Sequence, residues 1–158
     1  MPEIQNVIDL SPREISMHDR PSVLIVDDDK EVRDGLRYAL RSCNMDVTLC
    51  ENGNAGLLAA MNGYYDYIIT DFKMPGMHGI ELVRQLRAVQ PALVVIIGMS
   101  TMDLGGPFLE AGANDFIEKP FVPLNVAIML DGGDSGLNAV VSRVPDYSAK
   151  ERNTGQLI

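Results

Sequence analysis

The chain has 158 residues, 46% of them hydrophobic, and a formal net charge of -9 at pH 7. That length suits one ordinary domain with tails and a proper core, and it argues against a two-domain architecture. The acidity argues against nucleic acid as a direct partner, because phosphate contacts need clustered Lys and Arg and no such cluster appears. Only Cys43 and Cys50 are present, with neither the count nor the spacing of a disulfide framework or a zinc site, so they read as reduced packing residues. The opening Met1-Pro2-Glu3-Ile4-Gln5 shows no basic region and no apolar region of an export signal. The longest apolar run, near Ala92 to Ile97, falls short of the ~20 residues of a spanning helix. A soluble, cytoplasmic protein without membrane insertion is expected.

Residues 1–21 mix Pro, Ser, Asp, Arg and His with a few aliphatics and read as an N-terminal extension, in which Ile4, Val7, Ile8 and Leu10 can form a short docking helix. From Ser22 a continuous apolar run, Val23-Leu24-Ile25-Val26, stops at Asp27-Asp28-Asp29, as a strand buried on both faces does. A helix over Lys30 to Ser42 carries Val32, Leu36 and Leu40 on one face. Asp46 to Cys50 reads as a second strand and Asn54 to Asn62 as a second helix ending near Gly63.

Tyr67 to Thr70 is the third strand and leads to Asp71, and Pro75-Gly76 marks the turn beyond it. The next helix, Gly79 to Val89, turns Leu82, Val83 and Leu86 inward and is stopped by Pro91. Leu93 to Ile97 and Asn114 to Ile117 are the fourth and fifth strands. Between them, Asp103 to Ala111 has space for only a short helix, broken at its start by Gly105-Gly106-Pro107. The last helix begins after Pro120 and ends at Asp131-Gly132-Gly133. Residues 131–158 are a polar, Gly-rich tail in which Leu137, Val140, Val141 and Val144 keep helical spacing. Five strands alternating with helices predict an α/β fold, a parallel sheet with right-handed crossovers and helices on both faces.

In such a sheet the ligand site lies beyond the carboxyl ends of the strands. An Asp after a strand most often only caps or turns the chain, so Asp71 by itself decides little. The other strand ends add to it: Asp27 and Asp28 from the first, Ser100-Thr101 from the fourth, and Glu118-Lys119-Pro120 from the fifth. Converging carboxylates repel one another and call for raised pKa values or a bound cation. Oxygen ligands favour a hard ion, for which Mg²⁺ is the natural candidate, and a lysine and a hydroxyl beside it complete a place for a phosphoryl group.

These residues carry a resemblance. Val-Leu-Ile-Val-Asp27-Asp28-Asp29, Asp71-Phe-Lys-Met-Pro-Gly-Met-His-Gly79, Ser100, and Ala-Gly-Ala-Asn-Asp-Phe116-Ile-Glu-Lys119-Pro120-Phe121 together resemble the receiver (CheY-like) domain of two-component response regulators, over about residues 22–130. The resemblance implies a flavodoxin-like, doubly wound five-stranded parallel sheet of order 2-1-3-4-5. It implies that Asp71 is the phosphoacceptor, taking its phosphoryl group from the phosphohistidine of a sensor histidine kinase or a histidine phosphotransfer protein. Asp28, Asp71 and the backbone carbonyl of Lys73 would ligate Mg²⁺ directly and Asp27 through water. Lys119, whose bond to Pro120 is expected to be cis, would pair with the phosphoryl oxygens. Ser100, with Thr101 as the rival, would be the switch hydroxyl and Phe116 the switch aromatic. The implied output is switched binding of a downstream protein, with room for a homodimer. It is not that of an enzyme with turnover: the chain would catalyse only its own phosphorylation and dephosphorylation.

Eighteen residues lie between Ser100 and Lys119, a shorter interval than receivers usually have, so a shortened fourth helix is expected. Beyond the fifth helix there is no helix-turn-helix, catalytic domain or basic patch, and the chain reads as a receiver alone or a piece of something longer. His78 and His18 read as exposed loop residues, Met74 and Met77 as filler, and Lys30, Glu31 and Arg33 as a solvated helix face. A phosphorylation-independent interaction module with the same fold is the alternative. A phosphohydrolase with an Asp nucleophile is disfavoured by Lys73, which stands where such sites place a second carboxylate.

Overall fold

The structure, a computed structural model, describes residues 19–89 and 94–132. The readings of the two tails, apart from residues 19–21 and 131–132, and those of Pro91 and Leu93 lie outside the described residues. Five strands, β1 (Ser22–Val26), β2 (Asp46–Cys50), β3 (Tyr67–Asp71), β4 (Val95–Ser100) and β5 (Asp115–Glu118), alternate with α1 (Lys30–Ser42), α2 (Gly53–Asn62), α3 (Gly79–Val89), α4 (Gly105–Ala111) and α5 (Pro123–Asp131). All strand pairs are parallel and the order is β2-β1-β3-β4-β5, as expected. No helix among the described residues is long and apolar enough to cross a membrane.

Side chains alternate across the sheet and sort into two cores. Val23 and Ile25 of β1, Ile69, Ile97, Met99 and Ile117 pack with Leu36, Leu40, Val126 and Leu130 of α1 and α5. Leu24, Val26, Ile68 and Ile96 pack on the other face with Leu82, Val83 and Leu86 of α3 and Phe108 of α4. Burial of each such side chain contributes roughly 1.5–3 kcal/mol before conformational entropy is set against it. At the end of the sheet where the strands begin, Arg87 closes the structure: its Nε donates to Gly112 O (2.7 Å) and its guanidinium nitrogens to Val94 O (2.8 Å) and Asn114 Oδ1.

Several element boundaries depart from expectation, among them α2, which starts one residue early at Gly53, and β3, which runs on to Asp71. β4 continues through Gly98 and Met99 to Ser100, because β3 and β5 flank it there and pair Asp71 with Met99 and Glu118 with Ser100. β5 starts one residue late and includes Glu118, since Asn114 is used as a turn: its Oδ1 accepts from Ile96 N and from Arg87. α4 is short, as expected, but is not broken at its start. Gly105-Gly106-Pro107 form its first turn, where the missing N–H of Pro107 has no partner to lose.

Among the described residues two buried side-chain atoms have no hydrogen-bond partner, Asn125 Nδ2 and Asp115 Oδ2, and only the second belongs to an acid. Asp115 is 6% exposed, its Oδ1 accepts from Phe116 N (2.7 Å), and its Oδ2 has no hydrogen-bond partner. Burial pushes its pKa above the ordinary carboxylate value, against the smaller opposing pull of the Phe116 N–H. A folded-state pKa above the unfolded one means that the group's stabilising contribution is complete below about pH 4 and is lost as pH rises through the folded value. Asp115→Asn is therefore expected to stabilise the protein at pH 7 by about 1 kcal/mol, with the gain vanishing near pH 4. Thermal denaturation of both chains at the two pH values checks this; equal melting temperatures at pH 7 would refute it.

Candidate functional site

The three consecutive aspartates after β1 have three different tasks. Asp27 N still pairs with Cys50 O of β2 (3.1 Å), so the Asp27 side chain is held inside, fully buried, with Oδ1 accepting from Asp29 N (2.9 Å). Asp28 is exposed and turns into the pocket. Asp29 caps α1 by accepting from Glu31 N (2.9 Å), which sequence reasoning left without a role although an Asp just before a helix is the ordinary cap signal.

Asp71 ends β3 under the first turn of α3. The approach is so close that a Cβ on Gly79 would lie 2.0 Å from Asp71 O, and Gly79 N donates to Phe72 O (2.9 Å). Only glycine lets the chain cross the end of β3 at this point. Asp27, Asp28 and Asp71 each offer a carboxylate oxygen within 4.8 Å of the others. Lys119 reaches in from the end of β5 and binds both buried acids, Asp27 Oδ2 at 2.8 Å and Asp71 Oδ1 at 3.0 Å. The Lys119-Pro120 bond is cis.

The charges are unevenly balanced. Burial pushes the Asp71 pKa up, Lys119 draws it down through a hydrogen bond and its charge, Asp27 pushes it up again, and the net direction is upward. Burial disfavours the Lys119 ammonium, but its bonds to Asp27 and Asp71 more than offset this and its pKa is raised. One ammonium thus faces three carboxylates, and a cation is the economical way to relieve the rest. The donor set is oxygen only, from side chains on two strand ends, and it fits a hard divalent ion that retains waters.

Asp27, Asp28, Asp71, Lys73, Ser100, Thr101 and Lys119 line one open pocket of about 390 Å³ together with Asp29 and Met102. Lys73 is exposed at its rim. Ser100 is buried and Thr101 exposed, and Ser100 Oγ accepts from Met102 N at 3.0 Å. That bond ties the hydroxyl to the loop before α4; the only signal for it in the sequence is the habit of Ser to bond the backbone two residues on. Phe116 does not line the pocket. It is half-buried on the α4 side of β5, its ring 5.7 Å from that of Phe108. His78 is exposed, with Nδ1 accepting from Glu81 N at 3.3 Å and its ring beside Phe72; Met74 is buried and Met77 half-buried.

Comparison with known proteins agrees with the fold. The family model of the response regulator receiver domain matches residues 23–131. The chain is 29% identical over 142 residues to the transcriptional regulatory protein FixJ of Bradyrhizobium diazoefficiens, covering 82% of this chain and 69% of that one. It is 38% identical over 104 residues to the DNA-binding transcriptional regulator NtrC of Salmonella typhimurium, with 65% of this chain and 22% of that one covered. The transcriptional regulatory protein ResD of Bacillus subtilis is 34% identical over 109 residues, 67% of this chain and 45% of ResD. The chain therefore spans less than half the length of the last two. Among solved structures it is similar to the Vibrio cholerae chemotaxis protein CheY4, with a TM-score of 0.66 and 27% identity over 72% of this chain and 98% of that one. It is also similar to the receiver domain of the Pseudomonas aeruginosa sensor histidine kinase PA1611, with a TM-score of 0.65 and 28% identity over 75% and 98%. That domain was solved with a magnesium ion coordinated in its active-site cleft.

Proposed function

The chain belongs to the response regulator receiver domain family, and we propose from that premise that it is a phosphorylation-dependent switch that takes a phosphoryl group onto Asp71. The observation that carries the reading is the pair of salt bridges from Lys119 to Asp27 and Asp71 across a pocket that Asp28 and Ser100 also line. The donor is the phosphohistidine of a sensor histidine kinase or histidine phosphotransfer protein, and the downstream partner is a protein; both sit with this chain in the cytoplasm.

Asp71 carries the nucleophile. As an oxygen of its carboxylate forms a bond to phosphorus, the phosphorus–nitrogen bond of the donor breaks and its electron pair returns to the imidazole. Lys119 already stands at the carboxylate and offers its positive charge to the phosphoryl oxygens as they arrive, so little reorganisation accompanies the transfer. Asp28, Asp71 and the Lys73 carbonyl would hold Mg²⁺, with Asp27 helping through water. Bound there, Mg²⁺ would neutralise charge that builds on the transferring group. Ser100 can donate its hydroxyl proton to a phosphoryl oxygen while still accepting from Met102 N, so recruitment of Ser100 draws on the loop before α4. Phosphorylation adds about -1.5 to -2 charge to the pocket and biases an existing two-state equilibrium that changes partner binding, with Phe116 following through packing alone.

The test is BeF₃⁻, a phosphoryl mimic, added with and without Mg²⁺. Ligand at about 100 times its dissociation constant stabilises a binding-competent fold by about 2.7 kcal/mol, so melting temperature is expected to rise by several degrees beyond the effect of Mg²⁺ alone, and only when both are present. No shift with both would leave a receiver fold that binds its partners irrespective of phosphorylation.

A further inference from the structure

We infer that Phe108 is a positioning residue through which the pocket moves α4 as one piece. α4 is seven residues long, has no side-chain cap at its N-terminus, and buries one side chain completely, Phe108. That ring lies on Gly98 in the middle of β4, so close that a Cβ on Gly98 would be 2.4 Å from Phe108 Cδ1. Two further rings touch it. Phe72, which directly follows Asp71, meets it edge-on at 6.4 Å, and Phe116 of β5 lies at 5.7 Å. Phe116 also borders the first residue of α4, since a Cβ on Gly105 would be 3.4 Å from its ring.

Phe108 therefore has no slack. Close-packed interiors do not deform continuously, and a ring with backbone behind it and rings on two sides answers displacement of either neighbour by moving its own helix. The Ser100–Met102 bond draws on the loop that enters the same helix. Resting on the proposed phosphorylation of Asp71, this makes Phe108 the contact through which a shift of Phe72 or Phe116 reaches the helix hung on that ring.

Amide hydrogen exchange of the full chain, with and without Mg²⁺ and BeF₃⁻, tests the inference. In the wild type, exchange is expected to change at residues 71–73 and again across 105–111. Phe108→Leu keeps the change at 71–73 and loses most of the change across 105–111. Because the readout is the difference made by the ligand, a helix that is merely looser in both states does not mimic the result. Gly98→Ala, whose added methyl collides with the ring, is expected to shift exchange across 105–111 towards the BeF₃⁻ pattern without ligand, and it carries the test if Phe108→Leu fails to fold. A wild-type difference across 105–111 in Phe108→Leu, or unchanged α4 exchange in ligand-free Gly98→Ala, overturns the inference. A wild type that responds at 71–73 but not across 105–111 overturns it while leaving the proposed function standing; one that responds nowhere removes the proposed function itself.

Discussion

Asp71→Asn is expected to abolish the mass gain of one phosphoryl group that the wild-type chain acquires from acetyl phosphate with Mg²⁺, and at the same time to make the metal-free protein more stable. The first effect follows from the chemistry: an amide oxygen is too weak a nucleophile to replace the carboxylate, and no other acid in the pocket is held by Lys119 at the end of β3. The second follows from electrostatics. Burial and the neighbouring Asp27 hold the Asp71 pKa above its ordinary value despite Lys119, so the stability that the protonated group contributes is lost as pH rises through that raised value. A neutral amide removes the penalty at pH 7, by about 1 kcal/mol. Mg²⁺ reverses the order, because the wild type keeps the full acidic set and the variant does not. Mass spectrometry and melting curves with and without Mg²⁺ measure both effects; phosphoryl uptake by the variant at the wild-type rate would refute the assignment of Asp71.

Lys119→Met has the largest expected cost to the fold. The ammonium, 15% exposed, is the cation bound by a fully buried Asp27 and a nearly buried Asp71. Removing one partner of a buried ion pair while leaving the other charged costs about 3–5 kcal/mol. Loss of an aligned charge from a transfer site slows the reaction by about 10²–10³-fold. The two losses separate with metal: Mg²⁺ is expected to restore much of the stability, by neutralising the same carboxylates, and little of the rate of phosphoryl uptake. Denaturant unfolding and uptake kinetics on one preparation check the pair of outcomes. A variant as stable as wild type without metal would show that Lys119 does not hold the acids together.

The parallel sheet and the gathering of acids at one edge were legible because they depend on local signals. Apolar runs end abruptly in Asp27, Asp71, Ser100 and Glu118-Lys119, and the alternation with helices fixes which edge those ends share. The motif spacings added the family and its strand order. What escaped depends on neighbours distant in sequence. Gly98 looks like the end of a strand until Phe108 is placed against it and β5 is laid alongside. Gly105-Gly106-Pro107 looks like a break until Leu104 O is seen to receive the Phe108 amide and start a helix there. Asn114 looks like a strand residue until Arg87 and Ile96 claim its side chain. Two caps were missed against a local signal: Asp29, overshadowed by the two aspartates before it, and Asn52, which accepts from Ala55 N at the start of α2.

Arg87 has a mechanical consequence. One planar guanidinium tethers the last turn of α3 to the entry of β4, the exit of α4 and the side chain that opens β5. Those tethers lie at the opposite end of the strands from Asp71, so α4 is pinned at its exit, while its N-terminus has no side-chain cap. If the pocket switches as proposed, a push from it would become a swing about a fulcrum at Gly112, with the widest travel near Gly105. A lysine in place of Arg87, a point charge without the fork, would let go of some tethers and turn the swing into a slide.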